Sequence, residues 1–225
     1  MLRAGPEGRL PAGPASFTSS VSQYDRLMGK PDYPLKTARL TLRPYVTGDL
    51  DALHDIQARP EVTRYLLYDA RDRDQVRKVL EERIQADFLE RDALDLAVVL
   101  PETGALIGDV VLFLRSQEQR QGEIGYVFHP DHGGHGYATE AARALLGLGF
   151  EHYGLHRIVG RLDARNAASA RVLERVGMRR EAHFVQNEFI KGEWTDELVY
   201  AMLEDEWRSL GPDDDHRAGR VVDDL

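Results

Sequence analysis

The stretch "EIGYVFHPDHGGHGYATEA", residues 123–141, decides how the chain is read. Its first six residues are apolar or aromatic at alternating positions, which predicts a strand. Three glycines follow, Gly133, Gly134 and Gly136, interleaved with His129, His132 and His135. The chain then becomes alanine-rich and predicts a helix from about Gly136 to His152. Strand, glycine loop and helix in this order make an anion site. The first helical turn carries amide N–H groups without partners, and the helix dipole makes that end partly positive. A phosphate fits there where no Cβ stands in the way. A nucleoside-triphosphate loop would continue Gly-Lys-Ser/Thr, but here Gly136 precedes Tyr137 and Ala138. A dinucleotide fingerprint would need a third glycine where Thr139 stands. The histidines, three apart in a glycine loop, lack the rigid spacing and carboxylate of a metal site, so no metal is expected.

Working outward, alternating patterns predict strands at 39–45, 94–100, 105–114, 122–128 and 157–164. "PETG", 101–104, predicts the turn of a hairpin. Helical spacing of Leu50, Leu53 and Ile56 behind a cap at Thr47 or Asp49 predicts one helix. Val76, Leu80, Ile84 and Phe88 predict a second with one apolar face. "NAASARVLERVG" predicts a third, ended by Gly177. Two final strands, "RREAHFVQNEFI" and "EWTDELVYAMLE", turn at Lys191-Gly192. Hairpins mixed with two strand–helix–strand units indicate an α/β chain with a mixed sheet.

The chain has 225 residues and a formal charge of −9. It has no cysteine, so disulfides, thiol nucleophiles and zinc–thiolate sites are excluded. No basic stripe stands out, which argues against nucleic-acid binding. No apolar run approaches the ~20 residues of a membrane helix, and a cytoplasmic location is expected. Residues 1–35 are rich in Gly, Pro and Ser and are expected to form a flexible extension. Residues 36–208 form the expected domain, and 209–225 an acidic, disordered tail.

The glycine loop "GGHGYATEA" resembles the acyl-coenzyme A pyrophosphate loop of the GNAT N-acetyltransferase superfamily, in its RimJ/RimL-like branch. "TARLTLRPYVTGDLDAL", "GALIGDVVL", "LDARNAASARVLERVGM" and "IKGEWTDELVYAMLEDEW" resemble further segments of that branch, in the same order. The resemblance spans residues 37–207. It implies a mixed, mostly antiparallel sheet of about seven strands, two parallel central strands splayed at the coenzyme site, and about four helices. It also implies acetyl-CoA as cosubstrate, without a metal, and an acetyl group passed directly to an amine. In one respect the chain departs from the superfamily: Asp131 stands where Gln or Arg is usual. An aspartate cannot donate to phosphate, so binding there would rest on backbone amides and on His132 or His135.

The resemblance also carries site residues. Val127, Phe128, Gly133, Gly134, His135, Gly136, Tyr137, Ala138, Asn166 and Ser169 would bind the coenzyme. A backbone N–H near Val127 would meet the oxyanion. Glu123 would accept the amine's proton, directly or through water. Asn166 would hold the pantetheine arm. Ser169 would protonate the departing sulfur, because Leu173 occupies the position where many relatives have a tyrosine. The acceptor pocket would be built by the two early helices, the 66–73 turn and the hairpin near Trp194. Expected partners are an amine-bearing small molecule or a protein N-terminus, with a homodimer possible and neither nucleic acid nor membrane. The residues leave open a longer acyl group, or a non-catalytic acyl-CoA-binding regulatory module.

Overall fold

Apolar alternation in the middle of the chain is converted into one continuous sheet. A computed structural model describes residues 31–85 and 92–211. The strands are β1 (Leu35–Lys36), β2 (Thr41–Arg43), β3 (Ala93–Val99), β4 (Leu106–Ser116), β5 (Gln121–Phe128), β6 (Arg157–Asp163), β7 (Arg179–Ile190) and β8 (Glu193–Leu203). The helices are α1 (Leu50–Gln57), α2 (Pro60–Thr63), α3 (Arg73–Gln85), α4 (Tyr137–Gly147), α5 (Ala167–Arg175) and α6 (Glu204–Ser209). Strand order is β1-β2-β3-β4-β5-β6-β8-β7. Every neighbouring pair is antiparallel except β5 and β6.

The sheet has eight strands rather than about seven, because Leu35 pairs with Leu42 and Lys36 with Thr41. This short edge strand begins at the last residue assigned to the extension. Helices outnumber the expected four because of the short α2, with Pro60 at its first turn, and the short α6. Neither is long enough to show a periodic pattern. Residues 1–30 of the expected extension, Phe88 and residues 212–225 of the expected tail lie outside the described residues.

Two apolar clusters cover the two faces. On one face, α4 lays Ala141, Ala142, Leu145 and Leu146 against Ile107, Val110, Leu112, Ile124 and Ile158. On the other, Leu53 and Ile56 of α1 and Val76 and Leu80 of α3 pack with Tyr45, Ala97, Val99 and Leu106. Ile84, expected on the buried face of α3, is instead 38 % exposed. The hairpin of β7 and β8 closes at Lys191-Gly192 with both residues at positive φ, 53° and 85°. That pairing of angles matches a two-residue primed turn. Gly177 ends α5 at φ 90°, and Met178 N–H reaches back to Leu173 O at 3.0 Å.

Gly108 is the tightest point between β4 and β5. A Cβ there would stand 2.6 Å from Val127 O and 2.7 Å from the Phe128 ring. Because one of these neighbours is backbone, Gly108→Ala should cost about 1–3 kcal/mol by overpacking. Thermal unfolding would show this as a midpoint several degrees lower.

Candidate functional site

The glycine loop is held in a single shape by backbone angles and by three tethers. Gly134 and Gly136 both have φ of 79°, a left-handed conformation that side chains with a Cβ rarely adopt. Nothing lies within 4 Å of where a Cβ on Gly134 would be, so the loop presents bare backbone to open space. Gly136 is the N-cap of α4, with no side chain to satisfy the helix's first amides. His129, expected only as one of three loop histidines, is buried: its Nε2 lies 2.9 Å from Asp55 Oδ2 and its Nδ1 accepts from Asp131 N–H at 3.2 Å. His135 is exposed and stacks on Tyr137 with ring centroids 5.6 Å apart. Among the described residues, no cluster of three or more His, Cys, Asp or Glu is arranged to hold a metal.

The third tether was not visible in the sequence. Arg39, just before β2, donates to His135 O at 2.9 Å and to Glu140 Oε2 at 2.8 Å. Thr37 and the Arg39 amide both donate to the other oxygen of Glu140. Burial alone would raise the Glu140 carboxyl, but these donors outweigh it and hold it below the usual carboxylate range. The Glu140 charge is therefore already engaged, and the Arg39 guanidinium sits beside the loop.

β5 and β6 run in register only at Gln121↔Arg157, Gly122↔Ile158 and Glu123↔Val159. Beyond Glu123 they diverge, and a cavity of about 430 Å³ passes between them. His129 N–H bonds to Ile107 O, and the β4–β5 register is unbroken back to Glu123↔Phe113. Antiparallel bonding alternates, so Val127, two residues back, directs its amide to Asp109 on β4. The amides of Tyr126 and Phe128 then face β6, as the carbonyl of Arg120 does where it accepts from His156 and Arg157. The amides pointing into the divergence are therefore those of Tyr126 and Phe128, one position either side of Val127. The Val127 side chain itself lines the cavity. The Phe128 ring packs over Gly108 instead.

On the α4–α5 side, the cavity ends at Asn166, Ser169 and Leu173. Asn166 caps α5, its Oδ1 accepting from Ser169 N–H at 3.1 Å. Leu173 is buried, and its side chain fills the space over Gly160, where a Cβ would meet it at 2.8 Å. Tyr126 supplies a hydroxyl that the sequence reading of Leu173 did not find. Tyr126 Oη donates to Ser169 O at 3.0 Å and lies 2.9 Å from Ser169 Oγ. Burial raises Tyr126 well above the ordinary tyrosine range, against the Ser169 hydrogen bond, so the phenol stays protonated.

On the α1–α3 side, the cavity is walled by Tyr65–Tyr68, Arg71, Val79, Arg83, Asp95 and Asp109. Tyr68 covers it, its hydroxyl pushed up to about 12 by burial and by Asp109. Of the 66–73 turn expected at the acceptor end, Leu66, Leu67, Tyr68 and Arg71 line it. Glu123 does not. Its Oε2 lies 2.9 Å from Arg115 Nε and 3.7 Å from Arg161 Nε, in an adjoining cleft with Gln121, Arg157 and Val199 that shares Arg161 with the cavity.

Residues 39–179 match the family described as acetyltransferase (GNAT) domain. The chain is 34 % identical over 177 residues to the N-acetyltransferase YnaD of Bacillus subtilis (strain 168), covering 77 % of this chain and 98 % of that one. It is 27 % identical over 160 residues to a spermidine N(1)-acetyltransferase of Vibrio cholerae serotype O1, covering 71 % and 90 %. Among solved structures, a GNAT-family acetyltransferase from Bacillus anthracis aligns with a TM-score of 0.71 at 33 % identity, over 77 % of this chain and 99 % of that one.

Substituting alanine for glycine where φ is 79° costs about 1–2 kcal/mol per residue. Gly136→Ala and Gly134→Ala should each weaken coenzyme A binding roughly tenfold. Calorimetric titration measures this directly, and unchanged affinity in both variants would remove the loop from the binding site.

Proposed function

The chain belongs to the GNAT acetyltransferase family and is an acyltransferase, and on that footing we propose that it moves an acetyl group from acetyl-CoA straight to a primary amine of a small molecule or a protein N-terminus, with both substrates bound together. One observation carries this reading: the cavity between β5 and β6 joins the two faces of the sheet. A thioester can enter from the α4–α5 face and an amine from the α1–α3 face. The two then meet without a covalent enzyme intermediate, for which the chain has no cysteine. We place the chain in the RimJ/RimL-like branch on its motif order.

Acetyl-CoA, when bound, supplies the activated acetyl group; every other element belongs to the chain. The bare backbone at Gly133, Gly134 and Gly136, with the α4 amides at Tyr137 and Ala138, fits a diphosphate. Arg39 and His135 stand beside that loop, and either can offset the missing donor at Asp131. The amides of Tyr126 and Phe128 provide donors at the divergence for the developing oxyanion and the pantetheine arm. Asn166 holds the start of α5 in place and faces the same cavity.

The departing sulfur needs a proton. Ser169 Oγ and Tyr126 Oη form a coupled pair at the cavity's α5 end, so either hydroxyl can donate while the other restores it. The acceptor class is a cationic amine, as in the spermidine N(1)-acetyltransferase relative. The chain's charge of −9 favours approach of such a molecule.

The test is release of free thiol from acetyl-CoA in the presence of spermidine, simple diamines and a peptide with a free N-terminus. Thiol release that requires an amine, together with an acetylated product by mass, is the expected result. Tyr126→Phe and Ser169→Ala should each lower kcat about 10–100-fold. The double variant should lose little more than the worse single one, because the two hydroxyls act as one unit. Coenzyme binding with no turnover of any amine would contradict the proposal.

A further inference from the structure

The run "LIGDVVLFL" of strand β4, residues 106–114, is apolar except for Asp109, and that residue faces inward. Asp109 is 4 % exposed. Oδ1 lies 3.7 Å from Arg83 Nη2, while Oδ2 is buried and has no hydrogen-bond partner. Arg83 is shared: it also pairs with Asp95 Oδ1 at 3.2 Å and donates to Tyr45 Oη at 2.8 Å. One guanidinium thus stands between two carboxylates. An unpaired oxygen buried in a protein interior destabilises the fold, and such groups are normally satisfied. Asp109 also lines the cavity, directly opposite Val127 in the β4–β5 register and on the same face. Its carboxylate therefore sits beside the divergence, on the side from which an amine would arrive.

We propose that Asp109 is the group that receives the acceptor: its Oδ2 binds the incoming ammonium and takes its proton as the nitrogen attacks. This rests on the acetyl-transfer reading and names the residue that reading leaves open. The substrate enters as R–NH₃⁺. One proton passes to Asp109, and the freed nitrogen pair forms the C–N bond at the thioester carbon. The C–S bond breaks with its pair going to sulfur. Sulfur takes a proton from the Tyr126–Ser169 pair, which is refilled by the second nitrogen proton, and Asp109 returns its proton to solvent. The products are an N-substituted acetamide, free thiol and one proton.

The groups that face Asp109 are Arg83 from α3, Asp95 from β3, Tyr45 after β2, and Tyr68 and Arg71 from the loop before α3. Burial raises the Asp109 carboxyl above its ordinary range, and the attraction of Arg83 only partly offsets this. A raised carboxylate is a better proton acceptor at neutral pH. The sign follows: Asp109 serves as base only above its folded-state pKa, so kcat/KM falls as pH drops through it.

The experiment compares Asp109→Asn, Asp109→Glu and Glu123→Gln with the unaltered enzyme, using acetyl-CoA and spermidine. Three readouts are taken: kcat and kcat/KM against pH, spermidine affinity for the coenzyme A complex by calorimetry, and the melting midpoint. Asp109→Asn should lower kcat at least about 100-fold, abolish the acidic limb and weaken spermidine binding. Its midpoint should stay level or rise, because the buried charge that must be desolvated is gone while Arg83 keeps Asp95 as its partner. Asp109→Glu should restore part of the rate. The proposal is overturned if Asp109→Asn keeps its rate and acidic limb while Glu123→Gln loses both. It is equally overturned if rate and midpoint fall together without rescue by glutamate. Failure of the unaltered enzyme to release thiol with any amine would instead count against the acetyl-transfer reading, and unchanged spermidine affinity in Asp109→Asn would still count against this one.

Discussion

The parting of β5 from β6 after Glu123↔Val159 is the constraint on which the rest of the molecule turns. A sheet with all its ladders closed would be a wall. Here β5 stays bonded to β4 up to Phe128, and β6 stays bonded to β8 up to Asp163. The two halves of the sheet are each complete, and the gap lies between them. Amides that would have been satisfied by a neighbouring strand instead face a cavity, where a ligand carbonyl or oxyanion can take the neighbour's place. In the proposed function the loop, α4 and α5 share one task, which is to bring a phosphate-anchored ligand to that gap from one face.

Fixed geometry around the gap is supplied by packing. Leu173 fills the space over Gly160, Phe128 closes on Gly108, and the small residues Ala141 and Ala142 let α4 lie close to the sheet. The glycine loop is tied to α1 through His129 and Asp55, and to the N-terminal edge through Arg39. Such tethers fix the angles of the backbone amides, which would lower the ordering cost of a ligand bound there.

The order of strands and helices was largely legible, because long apolar alternation and the Gly177 and Lys191-Gly192 signals are local. The two-residue strand β1 and the short helices α2 and α6 were not, because none is long enough for a pattern to repeat. In the site, the loop glycines announce themselves by type and spacing. The Tyr126–Ser169 link joins residues 43 apart, and the Arg39 clamp joins residues 96 apart, so no window of sequence contains either. Asp109 did leave a signal: a lone carboxylate in the otherwise apolar run 106–114. Glu123 also sits on a strand facing the right way. Only the three-dimensional arrangement shows that Arg115 and Arg161 flank it, in a cleft beside the cavity. Alternation gives the face a side chain takes, not the charges that meet it there.

The most direct measurement is a crystal structure of the ternary complex with coenzyme A and spermidine. The account predicts the diphosphate on the amides from Gly133 to Ala138, the sulfur within hydrogen-bonding reach of Ser169 and Tyr126, and the nearest amine nitrogen on the Asp109 side of the gap. Coenzyme A seated elsewhere, or both ligands entering from one face of the sheet, would contradict it.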